Sequence, residues 1–182
     1  LVRQFISAAH ARLYVLDLPS ATLTEVAASA TPVAWEEAFF SPGDTGVFAT
    51  TDAGAEFHQL VRVNLATNAI TALTADLPWD VEGVAMTQDE RQLAFTVNEG
   101  GRSTVYHAPT KSPEKRTRLD TPAGVVSGLR FDRAGARLAL SLSTAQSPTD
   151  VFVVDLKKRS STRWTTSEVG GLDPSRFVVP TL

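Results

Sequence analysis

Apolar residues in this chain come in short runs, broken every few positions by Gly, Pro, Asp, Asn or Ser, and no helical spacing of apolar residues persists over the ~11 residues of an amphipathic helix. Within the runs, side chains alternate as strands require. The runs also repeat. Residues 36–51 (EEAFFSPGDTGVFATT), 82–97 (EGVAMTQDERQLAFTV) and 127–142 (SGLRFDRAGARLALSL) align without a gap, at offsets of 46 and 45 residues. In each block a short apolar stretch meets a polar turn and is followed by a second stretch. The turns are Ser41-Pro42-Gly43-Asp44, Thr87-Gln88-Asp89-Glu90 and Asp132-Arg133-Ala134-Gly135, all of residues that favour reversals. Each block therefore predicts a hairpin.

Two more strands follow each hairpin. The third reads Leu60 to Leu65, Thr104 to His107 and Val151 to Leu156, and the fourth reads Ala69 to Leu73, Arg116 to Leu119 and Thr162 to Thr165. Short connections such as Ala66-Thr67-Asn68 join them as neighbours, which makes each unit a four-stranded antiparallel meander. The chain opens out of phase, with Leu1 to Ser7 in the place of a second strand, Leu13 to Leu18 of a third and Thr22 to Val26 of a fourth. Meanders at this period predict an all-β fold, a β-propeller fragment of three complete four-stranded antiparallel blades plus a partial N-terminal blade. The blades span about 1–30, 31–76, 77–121 and 122–166, with residues 167–182 as an exit linker. A β-sandwich is the alternative architecture, and it predicts less regular repetition. Leu13 and Val15 point to one side of their strand and Tyr14 and Leu16 to the other, as expected for sheets covered on both faces. An incomplete ring leaves two such faces bare. If each exposes about 500 Å², leaving it wet forgoes roughly 12 kcal/mol at ~25 cal/mol per Å², so the ends are expected to be covered by missing parts of the protein or by self-association of a second copy.

Composition narrows the function classes. The 182 residues are 43% apolar and 20% charged, which fits a globular protein, and the net charge of −3 argues against a nucleic-acid partner. Lys157-Lys158-Arg159 lies between two strand-like runs and reads as a solvated turn. There is no Cys, which excludes disulfides, thiol catalysis and zinc-thiolate sites but does not choose between cytoplasm and periplasm. No apolar run approaches the ~20 residues of a membrane span, so no membrane partner is expected. The start at Leu1 is neither an initiator Met nor a signal peptide and suggests a chain cut from something longer.

Two stretches carry a family resemblance. Trp79 to Met86, followed by Leu93 to Gly101 (LAFTVNEGG), resembles a blade of bacterial prolyl-oligopeptidase-family serine peptidases. Trp164 to Phe177 (WTTSEVGGLDPSRF) is similar to the exit from their last blade toward the hydrolase domain. The Ser-Pro turn followed by an apolar strand also occurs in tricorn-like and TolB-like propellers, so by itself it points to a fold and not a function. The resemblance implies a non-catalytic propeller that gates short peptide substrates to an α/β-hydrolase with a Ser, Asp, His triad. That C-terminal hydrolase domain is absent from this chain, whose last residues, Pro180-Thr181-Leu182, fall about where it would begin.

The chain's own chemistry agrees with a non-catalytic part. There is no Gly-x-Ser-x-Gly elbow to expose a nucleophile. His10, His58 and His107 stand one per blade, and the repeat brings none of them a carboxylate partner. Glu36 and Glu37, with Asp80 and Glu82, are the candidate substrate-binding residues, read as acids that line the channel or its rim and orient the cationic end of a peptide. Some family members bind a free amino terminus with a Glu pair, but there the pair sits on an insertion farther upstream of the turn. Trp35, Trp79 and Trp164 read as packing residues. No metal site and no cofactor is expected. Two other functions fit less of the sequence: a freestanding TolB-like propeller acting as an interaction scaffold, and a propeller glycosidase, which needs convergent carboxylates from several inner strands.

Overall fold

The structure, a computed structural model, describes residues 1–179. It contains four antiparallel sheets, each a meander in chain order. The first has three strands, β1 (Val2–Ser7), β2 (His10–Asp17) and β3 (Thr22–Glu25). The second has four, β4 (Trp35–Phe40), β5 (Gly46–Thr51), β6 (Gln59–Asn64) and β7 (Ile70–Ala72). The third has β8 (Val81–Met86), β9 (Gln92–Asn98), β10 (Ser103–Pro109) and β11 (Thr117–Arg118). The fourth has β12 (Val125–Phe131), β13 (Arg137–Thr144), β14 (Ser147–Asp155) and β15 (Ser160–Arg163). The only helical segments among the described residues are single 3-10 turns.

The chain divides into two compact units, Leu1–Glu82 and a second from Gly83 onward. In the first unit, Ala11, Leu13 and Val26 share a core with Trp35, Val47, Ala49, Val61 and Val63, so the first two sheets pack face to face. In the second, Ala94, Val105 and Leu119 share a core with Val126, Leu138, Leu140, Leu142 and Val154. β5 is buried at every residue and β9 at its five central residues, so these strands are covered on both faces. The repeated double-sided pattern is strongest there. It is weaker in β2, where Leu13 is buried and Val15 packs on the core, but Tyr14 and Leu16 on the other face are only half-buried.

The three hairpin turns share one geometry. Ser41, Thr87 and Asp132 each donate their N–H to the carbonyl five residues on and accept at their own carbonyl the N–H three residues on. The third residue after each, Asp44, Glu90 and Gly135, lies in the left-handed region at φ 53°, 59° and 66°. Only the last of these is glycine. The turns between third and fourth strands repeat a second device: Asp17, Asn64 and Asp155 each accept, through the side chain, backbone N–H groups of the turn that follows. Lys157, Lys158 and Arg159 sit in one of these turns, exposed, as the charge run predicts.

A side chain at a left-handed position costs about 1–2 kcal/mol, part of which glycine returns through its freer unfolded chain. Glu90→Gly is therefore expected to raise the unfolding free energy by about 0.5 kcal/mol. Gly135→Ala is expected to lower it by at least about 1 kcal/mol, since its Cβ would also stand 3.0 Å from the Thr87 methyl. Urea titration of both variants checks the opposite signs.

Candidate functional site

Two of the innermost strands, β4 and β12, carry a bulge near their start. In β4, Trp35 pairs with Thr51 and Ala38 with Ala49, so Glu36 and Glu37 together oppose the single residue Thr50. The Glu37 N–H, which loses its ladder partner, donates to Thr50 Oγ1 at 3.1 Å. One repeat later the Gly83 N–H donates to Thr96 Oγ1 at 2.9 Å. In β12 the same two-against-one count recurs between Val126 and Gly128, opposite Leu142 and Ser141. A regular strand would send Glu36 and Glu37 to opposite faces, whereas the bulge leaves both exposed.

Both glutamates line an open cleft of about 490 Å³ with Arg3, Leu1 and Ala38. Arg3 is held there by donating from Nη1 to the carbonyl of Trp35 at 3.3 Å. The cleft combines two carboxylates and a guanidinium and contains no nucleophile. Asp80, before β8, is partly buried, and Glu82 is exposed on β8.

His58 corrects the expectation that no histidine has a carboxylate partner. It ends the β5–β6 loop, where its N–H donates to Asp80 Oδ1 at 2.8 Å and its Nδ1 lies 3.4 Å from the same oxygen. Its carbonyl accepts the Val81 N–H at 2.9 Å, and its Nε2 is 4.0 Å from Glu36 Oε1. Two of the four candidate acids thus converge on one imidazole, 22 residues from each along the chain. Nε2 is buried and makes no hydrogen bond. His107 differs: its Nε2 is 2.6 Å from Gln92 Oε1, and burial pushes its pKa down, favouring the neutral ring. Among the described residues, no group of three or more His, Cys, Asp or Glu is arranged to hold a metal.

A second polar centre was not anticipated. Asp150, in the middle of β14, has a fully buried carboxylate paired with Arg163 Nη2. It also accepts from Ser147 Oγ at 2.8 Å, Thr165 Oγ1 at 2.9 Å and the Ser167 N–H at 2.8 Å. Burial alone would push its pKa up. The hydrogen bonds from Ser147, Thr165, Arg163 and Ser167 outweigh that and hold the carboxyl far below the ordinary range. The tryptophans also divide. Trp35 is in the core and Trp79 is half-exposed against Phe57 at 6.4 Å between rings, but Trp164 is 64% exposed, contrary to the packing role expected of it. It follows the outermost strand of its sheet, where no further strand covers it.

The meanders and their pairing are those of a β-propeller. Comparison with solved structures agrees. The chain matches a prolyl endopeptidase with a TM-score of 0.74 at 14% identity, over 92% of this chain and 24% of that one. It matches prolyl oligopeptidase B from Galerina marginata at 0.75 and 15%, over 93% of this chain and 25% of that one. Puromycin hydrolase follows at 0.74 and 15%, over 94% and 26%. The chain thus has the fold of a stretch of these proteins and spans about a quarter of their length. No protein-family model matches the sequence, and no curated protein is significantly similar to it.

Because the folded-state pKa of Asp150 is depressed, its stabilising effect is full above the unfolded value near 4 and is lost as pH falls through the folded value. Asp150→Asn is expected to lower the melting temperature by several degrees at neutral pH, with the gap to the parent constant down to about pH 5 and closing below about pH 4. Thermal melts of both proteins between neutral pH and pH 2 test this; a gap that does not narrow in acid would contradict it.

Proposed function

We propose that this chain is part of the non-catalytic, substrate-gating propeller of a prolyl-oligopeptidase-type serine peptidase that cleaves short peptides. The fold likeness, over more than nine-tenths of the chain, to about a quarter of a prolyl endopeptidase, of a prolyl oligopeptidase and of puromycin hydrolase carries the reading. In it the four sheets are blades, one partial at about 1–30 and three complete at about 31–76, 77–121 and 122–166. Residues 167–182 then lead toward a hydrolase domain; the last three lie outside the described residues. The absence of a nucleophile elbow from the chain is consistent with this division of labour.

Glu36, Glu37, Asp80 and Glu82 take the channel-lining role. The bulge supports it for Glu36 and Glu37, since it presents two carboxylates where one would be expected, and His58, held by Asp80, brings its ring to 4.0 Å from Glu36. Such a cluster attracts the ammonium end of a peptide and does no bond-breaking. The reading requires, in the same reading frame, a Gly-x-Ser-x-Gly motif followed by Asp and His. A frame without them overturns it and leaves a freestanding scaffold. In the full-length enzyme, the Glu36→Gln/Glu37→Gln variant is expected to raise KM for peptides with a free amino terminus by about tenfold, the scale of a charge-assisted hydrogen bond. kcat, and KM for acetylated peptides, are expected to stay near the parent values.

The outward face of the first sheet is proposed as a surface that further sheets of the same ring, or a second copy, cover. It exposes Val2 and Leu23, and Phe5 and Ile6 are also exposed on β1. Light scattering of the isolated chain is expected to show concentration-dependent association that Leu23→Lys weakens. A monodisperse monomer at every concentration would count against it.

A further inference from the structure

The segment after β15 belongs to no sheet, yet it is tied down at several points. Asp150 receives Thr165 Oγ1 and both the N–H and Oγ of Ser167, at 2.9, 2.8 and 3.1 Å. Ser167 Oγ also lies 2.9 Å from the carbonyl of Thr149. Ten residues on, Gln146 Nε2 from the β13–β14 turn donates to the carbonyl of Phe177 at 3.1 Å. Val179 then lines a cleft of about 490 Å³ together with Gly124 and Val125, where β12 begins. Between these ties the segment stiffens itself: Glu168 accepts the Gly171 N–H at 2.8 Å, and Asp173 caps the 3-10 turn Pro174–Arg176 through Ser175.

These contacts define a path. The chain finishes the outermost strand, β15, and runs back across the end of the sheet past β14 and the β13–β14 turn. It arrives beside the innermost strand, β12. No ladder hydrogen bond draws it that way. The strongest fixed point is the buried Asp150 carboxylate, which takes its other bonds, from Arg163 and Ser147, within the sheet. Hydrogen bonds to a charged acceptor inside a protein are about twice as strong as neutral ones.

We propose that Asp150 is a latch: one buried carboxylate that binds residues 164–179 across the end of the fourth sheet and so sets where, and in which direction, the polypeptide leaves it. Asp150 is a positioning residue and touches no substrate. Its bearing on a following hydrolase domain rests on the peptidase reading, because the latch delivers the chain to the innermost strands, where a channel would open, and not to the outer rim.

Hydrogen–deuterium exchange on the 182-residue chain tests the latch without any enzyme activity. The Thr165→Val/Ser167→Ala variant removes the segment's two hydroxyl donors and leaves the carboxylate with Arg163, Ser147 and the backbone N–H at position 167. It is expected to speed exchange of amides in 168–179 by about tenfold or more while β13 and β14 keep the parent's protection, apart from the Val151 amide, which donates to Thr165 Oγ1 at 2.8 Å. Asp150→Asn is expected to release the same segment. Unchanged exchange in 168–179 in the double variant overturns the proposal. So does an opening of β13 and β14 together with the segment in that variant, which would make Asp150 a support of the sheet and not a latch. A reading frame without hydrolase motifs would sink the peptidase reading and leave the exchange result standing.

Discussion

Face-to-face packing of neighbouring sheets is the interaction on which everything else in this molecule depends. A sheet with an apolar face must bury it against another element. Each core here is built by two sheets together: Leu13 and Val26 of the first meet Val47 and Val61 of the second, and Val105 and Leu119 of the third meet Leu138 and Leu142 of the fourth. That contact needs only rows of small or branched apolar side chains at alternate positions. It places little demand on identity, which accounts for a backbone match at TM-scores near 0.74 between chains only 14–15% identical.

Packing governs the strand interiors and leaves the strand ends to hydrogen bonding, so the ends are where the repeats diverge. The third strand starts with an N–H that must find an acceptor on the segment entering the next inner strand. Ala11 uses the carbonyl of Val33 and Ser103 that of Gly124, at 2.9 Å each. At the corresponding place His58 uses the carboxylate of Asp80 instead. A backbone acceptor would have satisfied the donor equally well. Replacing it with an acid, and setting Glu36 on the far side of the ring, concentrates charge at one strand end without any gain to the ladder. Such local departures from a repeat's own rule are where a site is expected.

Much of the fold was legible in the sequence because the repeat is short and its turns are explicit. Ser41-Pro42 and the Asp17, Asn64 and Asp155 turn residues each mark a reversal by their own chemistry, and the hairpins formed where those residues predict them. The left-handed positions at Asp44 and Glu90 were not legible, since neither is glycine and the register of the turn comes from the flanking ladder. The site was half legible. Two adjacent glutamates are visible in any reading, but their common exposure depends on a bulge, which leaves no mark on residue type beyond a hydroxyl 13 residues later, Thr50 in one repeat and Thr96 in the next. His58 and Asp80 lie in different loops, 22 residues apart, and only the folding of the first unit joins them.

Asp150 shows why a buried acid is the hardest residue to read. In the run Thr149-Asp150-Val151-Phe152 it occupies a position where alternation calls for an apolar side chain opposite Leu142, and nothing nearby in sequence announces a counter-ion. Its partners arrive from 3 residues upstream and from 13, 15 and 17 downstream, and each would be an unremarkable Ser, Thr or Arg on a strand edge. Desolvation disfavours a lone carboxylate at that depth, and the acid is tolerable because donors surround it, Arg163 and Ser147 from within the sheet and Thr165 and Ser167 from the segment that follows. The converse also holds. Once the acid is there, the segment that supplies Thr165 and Ser167 is bound to the sheet as firmly as the charge needs them, and a stretch with no regular structure acquires a fixed path.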